Sequence, residues 1–160
     1  MIYVTVGTQL PFDRMVRAMD SWAARRGRYD VFAQIGRSSY EPSTIEWVRF
    51  LTPEDNARCL DRADLIVSHA GTGTIIDALQ RCKPIIVFPR RMEFGEHRTD
   101  HQMATARRFE QRGLVCVVEN ETVLETLLEG SEKVMAVATA ISDYASEELI
   151  RFLTSHLAAD

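Results

Sequence analysis

Six short apolar runs rich in β-branched residues, separated mainly by helical patterns, constrain this chain more than any other feature. The runs fall at residues 2–6, 29–35, 45–51, 65–67, 84–88 and 114–118. Unbroken apolar runs of about 4–8 residues are how strands buried on both faces read, because neither face meets water. Helical patterns occupy 11–26, 53–61, 74–80, 99–112 and 122–128, with a longer one at 131–157. Strands alternating with helices imply βαβ units. The expected fold is therefore α/β, a Rossmann-like parallel sheet with helices on both faces. Such sheets bind ligands beyond the carboxyl ends of their strands, so the turns after strands carry the functional information.

Local signals sharpen these boundaries. Pro11 opens the first helix, and Met15, Ala18, Met19 and Trp22 follow at helical spacing before Arg25, Arg26 and Gly27 close it. Thr52 stands as N-cap before Pro53 at the first helical position. Segments 37–44 and 89–98 read as loops. In the last helix Val134, Val137, Ala138, Ile141 and Ala145 form one apolar stripe, continued by Leu149, Ile150 and Leu153. That stripe either docks a partner or packs on its own domain.

Composition narrows the class. With 160 residues, 46% hydrophobic and 26% charged, the chain suits one soluble domain. It has no apolar run of about 18 residues and no secretory leader pattern, so neither a membrane span nor export is expected. Nineteen basic and 23 acidic residues give a net charge of -4, which argues against nucleic acid as a partner. Cys59, Cys82 and Cys116 lie far apart and read as reduced, mostly buried thiols of a cytoplasmic protein.

Three strand-to-helix turns stand out. The first holds Gly7 and Thr8, and the second runs Ser68, His69, Ala70, Gly71, Thr72, Gly73, Thr74. Small residues after a buried strand let the backbone approach a ligand, and the N–H groups of the next helix then face a phosphate. The same residues also make a plain tight turn with a threonine cap. Asp77, three residues beyond Thr74, is either a carboxylate for a ribose diol or a solvated helix charge. The third stretch carries Arg90, Arg91 and Arg98, suited to a diphosphate or carboxylate, or else forming a solvated basic loop. Asp100, His101 and Gln102 then start a helix with polar side chains, and Gly95 gives the preceding loop freedom. His97 and His101 are four apart beside Glu96, without the order or third ligand of a zinc helix, so no metal site is expected. Trp22, Trp47, Phe50 and Phe109 read as core or interface.

Familiar nucleotide signatures are missing. The first strand is not followed by G-x-G-x-x-G, and the chain contains neither G-x-x-x-x-G-K-[ST] nor G-x-S-x-G.

Val4 to Thr8, Ser68 to Thr74, and Lys83 to Val87 followed by Asp100, His101 and Gln102 resemble the C-terminal, donor-binding half of GT-B glycosyltransferases, the glycosyltransferase family 28 C-terminal domain. The resemblance runs from residue 1 to about 112. It is greatest to the donor subunits of split enzymes, and the segment 89–97 looks most like the bacterial exopolysaccharide branch, which includes glucuronosyl- and galactosyltransferases. The resemblance implies that residues 1–160 form one nucleotide-sugar-binding domain, with 131–157 a candidate docking helix. It implies that Gly7 and Thr8 line the cleft near the diphosphate and that Phe50 and Leu51 meet the uracil through backbone groups. His69, Ala70, Gly71, Thr72, Gly73 and Thr74 would meet the phosphates, and Asp77 the ribose, where relatives usually have glutamate. Asp100, His101 and Gln102 would bind the donor sugar, and Arg90, Arg91 or Arg98 would pair with a glucuronate carboxylate. The implied activity is metal-independent inverting transfer from a UDP-sugar, UDP-glucuronate being favoured over UDP-galactose or UDP-N-acetylglucosamine, to a lipid-linked saccharide in exopolysaccharide synthesis. No residue offers itself as general base, so the base and acceptor site are expected in a membrane-anchored partner subunit that recruits the chain to the inner face of the membrane. The alternative is an accessory subunit that raises a partner's activity without chemistry of its own.

Overall fold

The computed structural model describes residues 1–99 and 101–130, apart from the side chain of His101. Six strands form one wholly parallel sheet: β1 (Ile2–Thr5), β2 (Val31–Gln34), β3 (Glu46–Val48), β4 (Leu65–Ser68), β5 (Ile85–Val87) and β6 (Cys116–Val117). Their spatial order is β3-β2-β1-β4-β5-β6. Among the described residues five α-helices accompany them: α1 (Asp13–Arg26), α2 (Pro53–Arg62), α3 (Thr72–Gln80), α4 (His101–Gln111) and α5 (Glu121–Glu129). All six expected strands are present, five of them shorter than their apolar runs and β4 one residue longer. The expected helix at 131–157 lies outside the described residues, as does Asp100. No helix among the described residues is long and apolar enough to cross a membrane.

Alternating side chains along each strand feed two cores. Ile2, Val4, Leu65, Val67 and Ile86 point to one face, where Met15, Met19 and Trp22 of α1 and Leu124 and Leu128 of α5 cover them. Tyr3, Ile66, Ile85 and Val87 point to the other, under Leu60 of α2, Ile75 and Leu79 of α3 and Ala106 of α4. That two-sided burial is why the strand runs are continuous rather than alternating.

Boundaries follow from local chemistry. α1 begins at Asp13, two residues after the expected start, because Phe12 is held out of helical geometry (φ -146°, ψ 58°) with its N–H donated to Ser38 Oγ at 3.2 Å. Gly27 ends it in the left-handed region, at φ 60°. Thr52 caps α2 as expected, accepting the Asp55 N–H at 3.1 Å. α3 begins two residues earlier than its apolar pattern, at Thr72. The three cysteines are unbonded, but none is fully buried and Cys82 is exposed, contrary to the expectation of mostly buried thiols.

The connection from β2 to β3 contains no helix among its residues, and one buried carboxylate replaces it. Asp20, 3% exposed on α1, accepts hydrogen bonds from Tyr40 Oη (2.6 Å), from Ser43, Thr44 and Ile45 N–H (3.1, 2.9 and 3.2 Å) and from Ser43 Oγ (3.4 Å). Burial by itself raises the pKa of such a group, yet these donors together hold it below the ordinary carboxylate value. Replacing Asp20 by Ala strands the buried Ile45 N–H and the part-buried N–H groups of Ser43 and Thr44, so urea denaturation of that variant is expected to show a loss of about 2–3 kcal/mol.

Candidate functional site

In a sheet of this order the connections from β1 and β4 leave toward opposite faces, which opens a crevice between their carboxyl ends. The crevice here is a cleft of about 610 Å³. Its walls come from the turn after β1, the segment leading into α2, the start of α3, and the β5–α4 connection.

The β1 side is built on buried polar side chains. Gly7 takes φ +74°, a conformation glycine adopts readily. Gln34, at the end of β2 and 4% exposed, accepts from Thr5 Oγ1 at 2.8 Å. Its amide donates to Gly7 O at 3.1 Å and to Arg49 O at 2.8 Å. One side chain thus fixes two loops of the cleft. Thr8 and Gln9 are exposed at its mouth.

On the β4 side, Gly71 is the N-cap of α3, and no side chain caps the helix among the described residues. Thr72, Gly73 and Thr74 line the cleft. Their leading N–H groups lie at the positive end of the helix dipole, the standard requirement for holding an anion. The imidazole of His69 fills the space between Gly7 and Gly71. Burial, helped by the nearby Arg90 charge and opposed by a backbone hydrogen bond with Thr5, pushes its pKa from 6.5 down to about 4.

The third wall is braced by two arginines, Arg90 buried and Arg14 partly buried. Arg90, 3% exposed, donates from Nη2 to Val6 O (2.7 Å) and Leu10 O (2.6 Å), and from Nε to Pro11 O (3.4 Å). Its backbone N–H donates to Gln102 Oε1 at 3.0 Å, so one residue ties the β1 turn to α4. Burial pushes the guanidinium down to about 10, with Glu96 acting the other way. Arg14 grips Glu96 through Nε (2.7 Å) and Nη2 (2.8 Å), and also donates to Pro89 O at 3.2 Å. Phe88 lies against that guanidinium at 4.3 Å and Phe94 at 4.9 Å. Glu96 accepts a further bond from Arg91 N–H at 3.0 Å, so the β5–α4 segment is clamped to α1.

Of the expected site residues, Gly7, Thr8, Leu51, His69, Ala70, Gly71, Thr72, Gly73, Thr74, Arg90 and Gln102 all line this cleft. Others stand elsewhere. Phe50 is 52% exposed and is not among the lining residues, whereas Leu51 is. Asp77 is half-exposed on α3, off the lining, with Arg81 Nη1 3.5 Å from its Oδ1. Arg91 pairs with Glu93 at 2.8 Å, and Arg98 is exposed outside the cleft. Arg90 is in place, but its guanidinium is directed at main-chain carbonyls rather than outward. The sequence reading overlooked Gln34, Asn56, Arg14 and the role of Glu96. Only Gln34 left a local signal, a polar residue inside a strand run that is otherwise apolar.

The sequence profile of the glycosyltransferase family 28 C-terminal domain matches residues 1–154. The chain belongs to this family. This family 28 domain is 36% identical over 70 residues to the UDP-N-acetylglucosamine transferase subunit ALG13 of Candida albicans, covering 44% of the chain and 22% of that protein. It is 49% identical over 51 residues to the same subunit of Eremothecium gossypii, covering 32% of the chain and 23% of that protein. The chain therefore spans less than a quarter of the length of these curated relatives. In fold it is similar to MurG of Acinetobacter baumannii, with a TM-score of 0.58 at 17% identity, over 96% of this chain and 49% of that one.

The depressed pKa of His69 has a consequence for the family 28 domain's stability. An unfolded chain binds a proton at His69 near pH 6.5, whereas the native state resists protonation until about pH 4. The stabilisation is therefore complete above pH 6.5 and is lost as pH falls through that window. Thermal melts between pH 7 and pH 4 are expected to show a falling midpoint, with a shallower slope in His69→Asn.

Proposed function

We propose that this chain is the donor-binding half of an inverting UDP-sugar glycosyltransferase, completed by a separate acceptor-binding subunit. The observation that carries this reading is the uncapped N-terminus of α3, opening into the cleft at the switch point between β1 and β4. Inverting transfer breaks the bond between the anomeric carbon and the diphosphate as the acceptor oxygen attacks. Negative charge then builds on the departing UDP. The leading N–H groups of α3, the hydroxyls of Thr72 and Thr74, and the buried positive charge of Arg90 are all placed to favour that charge. The fungal relatives are subunits of a UDP-N-acetylglucosamine transferase, which supports both the donor class and the need for a partner.

Two described histidines line the cleft, and neither suits a general base: His97 Nδ1 already accepts the Thr99 N–H at 3.3 Å, which engages its lone pair. His69 is wedged, and its low pKa makes it a weak proton acceptor, while Asp77 lies outside the lining. The base therefore belongs to the partner, which we take to be membrane-anchored, holding a lipid-linked saccharide and bringing this chain to the inner membrane face. Exopolysaccharide synthesis remains the proposed setting. The case for UDP-glucuronate rested on arginines free to meet its carboxylate. Arg90 is committed to carbonyls, Arg91 pairs with Glu93 and Arg98 stands outside the cleft. A donor with an uncharged sugar therefore fits the described cleft better, and the fungal relatives favour UDP-N-acetylglucosamine among these.

Calorimetric or NMR titration of the chain with UDP-N-acetylglucosamine, UDP-glucuronate, UDP-galactose and ATP tests this reading. Selective UDP-sugar binding is expected, ordered with the N-acetylglucosamine donor first. Thr72→Asp places a like charge beside the diphosphate while favouring the helix dipole. It should cost about tenfold or more in affinity without lowering the melting temperature. Failure of every UDP-sugar to bind, alone and with the partner, would overturn the donor reading in favour of the accessory one.

A further inference from the structure

The turns after β1 and β4 each contribute a glycine to the cleft, and the ring of His69 lies between them. A Cβ built on Gly7 would stand 2.7 Å from Cε1 and 2.9 Å from Nε2 of that ring, and one built on Gly71 would overlap Nε2 outright. The two glycines are not equivalent. Gly7 has φ +74° and needs its freedom for the backbone alone. Gly71 has φ -79° and ψ 119°, extended backbone open to any residue. Only the imidazole forbids a side chain at Gly71.

The ring is also fixed in place. The main-chain N–H of His69 donates to Thr5 O at 3.3 Å, tying the backbone that carries the ring to the neighbouring strand. Ser68 Oγ stands 3.4 Å from Nδ1, and Ser68 itself is fully buried in register with Thr5. Arg90, whose charge disfavours an imidazolium, holds the loop on the far side of Gly7 through Val6 O and Leu10 O. A flat, uncharged ring thus separates two backbone segments, neither of which has a side chain at the point of contact.

We propose that His69 is a positioning residue, a spacer whose ring sets the gap between the Gly7 turn and the N-terminus of α3 and so the backbone geometry offered to a diphosphate. This rests on the donor-binding reading. Packed interiors transmit displacement rather than absorb it, so moving either loop moves the N–H groups of Thr72, Gly73 and Thr74 with it. A misplacement of about 1 Å in such a site is enough to cost an order of magnitude or more in function.

A mutant cycle on the full chain decides the matter: wild type, Gly71→Ala, His69→Ala and the double variant. Each is titrated by NMR with UDP and with uridine, which lacks the phosphates, and each is melted without ligand. Gly71→Ala is expected to weaken UDP about tenfold or more while uridine changes by no more than about twofold. His69→Ala should also weaken UDP. Adding Gly71→Ala to His69→Ala should cost nothing further, in affinity or in melting temperature, because the new methyl enters vacated space. If Gly71→Ala alone fails to fold, recovery of folding in the double variant gives the same support. An equal penalty for Gly71→Ala with and without the ring overturns the proposal, as does a loss that falls equally on UDP and uridine. Should wild type bind no UDP, the donor reading fails by itself, and the ligand-free melts still decide whether His69 is the spacer.

Discussion

Parallel pairing of β1 with β4, in register from Ile2 opposite Leu65 to Thr5 opposite Ser68, brings two chain reversals to the same edge of the sheet side by side. The chain after β1 then enters α1 on one face, and the chain after β4 enters α3 on the other. Each reversal turns backbone groups toward a shared gap that no layer covers. Everything around the cleft answers the problem this creates. Polar main chain and polar side chains must be kept in fixed positions at the boundary between two hydrophobic cores.

That answer is a set of buried polar groups with their partners supplied. An unpaired amide or guanidinium in such a place costs several kcal/mol, so each must be matched. Gln34 spends its carbonyl on Thr5 and its amide on Gly7 and Arg49. Arg90 has three main-chain carbonyls. Arg14 has both carboxylate oxygens of Glu96, with aromatic rings against it. Removing one member of such a pairing leaves the other stranded, which is why these residues bear more on the shape of the cleft than their distance from its surface suggests.

The fold was largely legible in the sequence because strands buried on both faces announce themselves as unbroken apolar runs, and because Thr52 and Gly27 mark helix ends by short-range chemistry. The strand-to-helix turn from Ser68 to Thr74 was legible in position, since small residues after a buried strand mark a close backbone turn, whatever its use. Contacts between distant segments were not. Arg14 and Glu96 are 82 positions apart, and no local pattern joins them. Arg90 was placed correctly in the cleft, but a sequence cannot distinguish a guanidinium aimed at carbonyls from one aimed at a ligand. Asp77 and Phe50 lie outside the cleft lining, Asp77 half-exposed beside Arg81 and Phe50 exposed, and nothing local in the sequence marks that difference from their neighbours.

Every brace around the cleft, from Gln34 to the Arg14–Glu96 pair, comes from this chain alone. The described part of its walls is therefore held without contacts from another polypeptide. In a two-chain enzyme built on such a half, the order of events is unconstrained: donor can load first and the second chain dock later, or the reverse. The abundance of that second chain would then govern how often transfer occurs while leaving the occupancy of the donor site untouched.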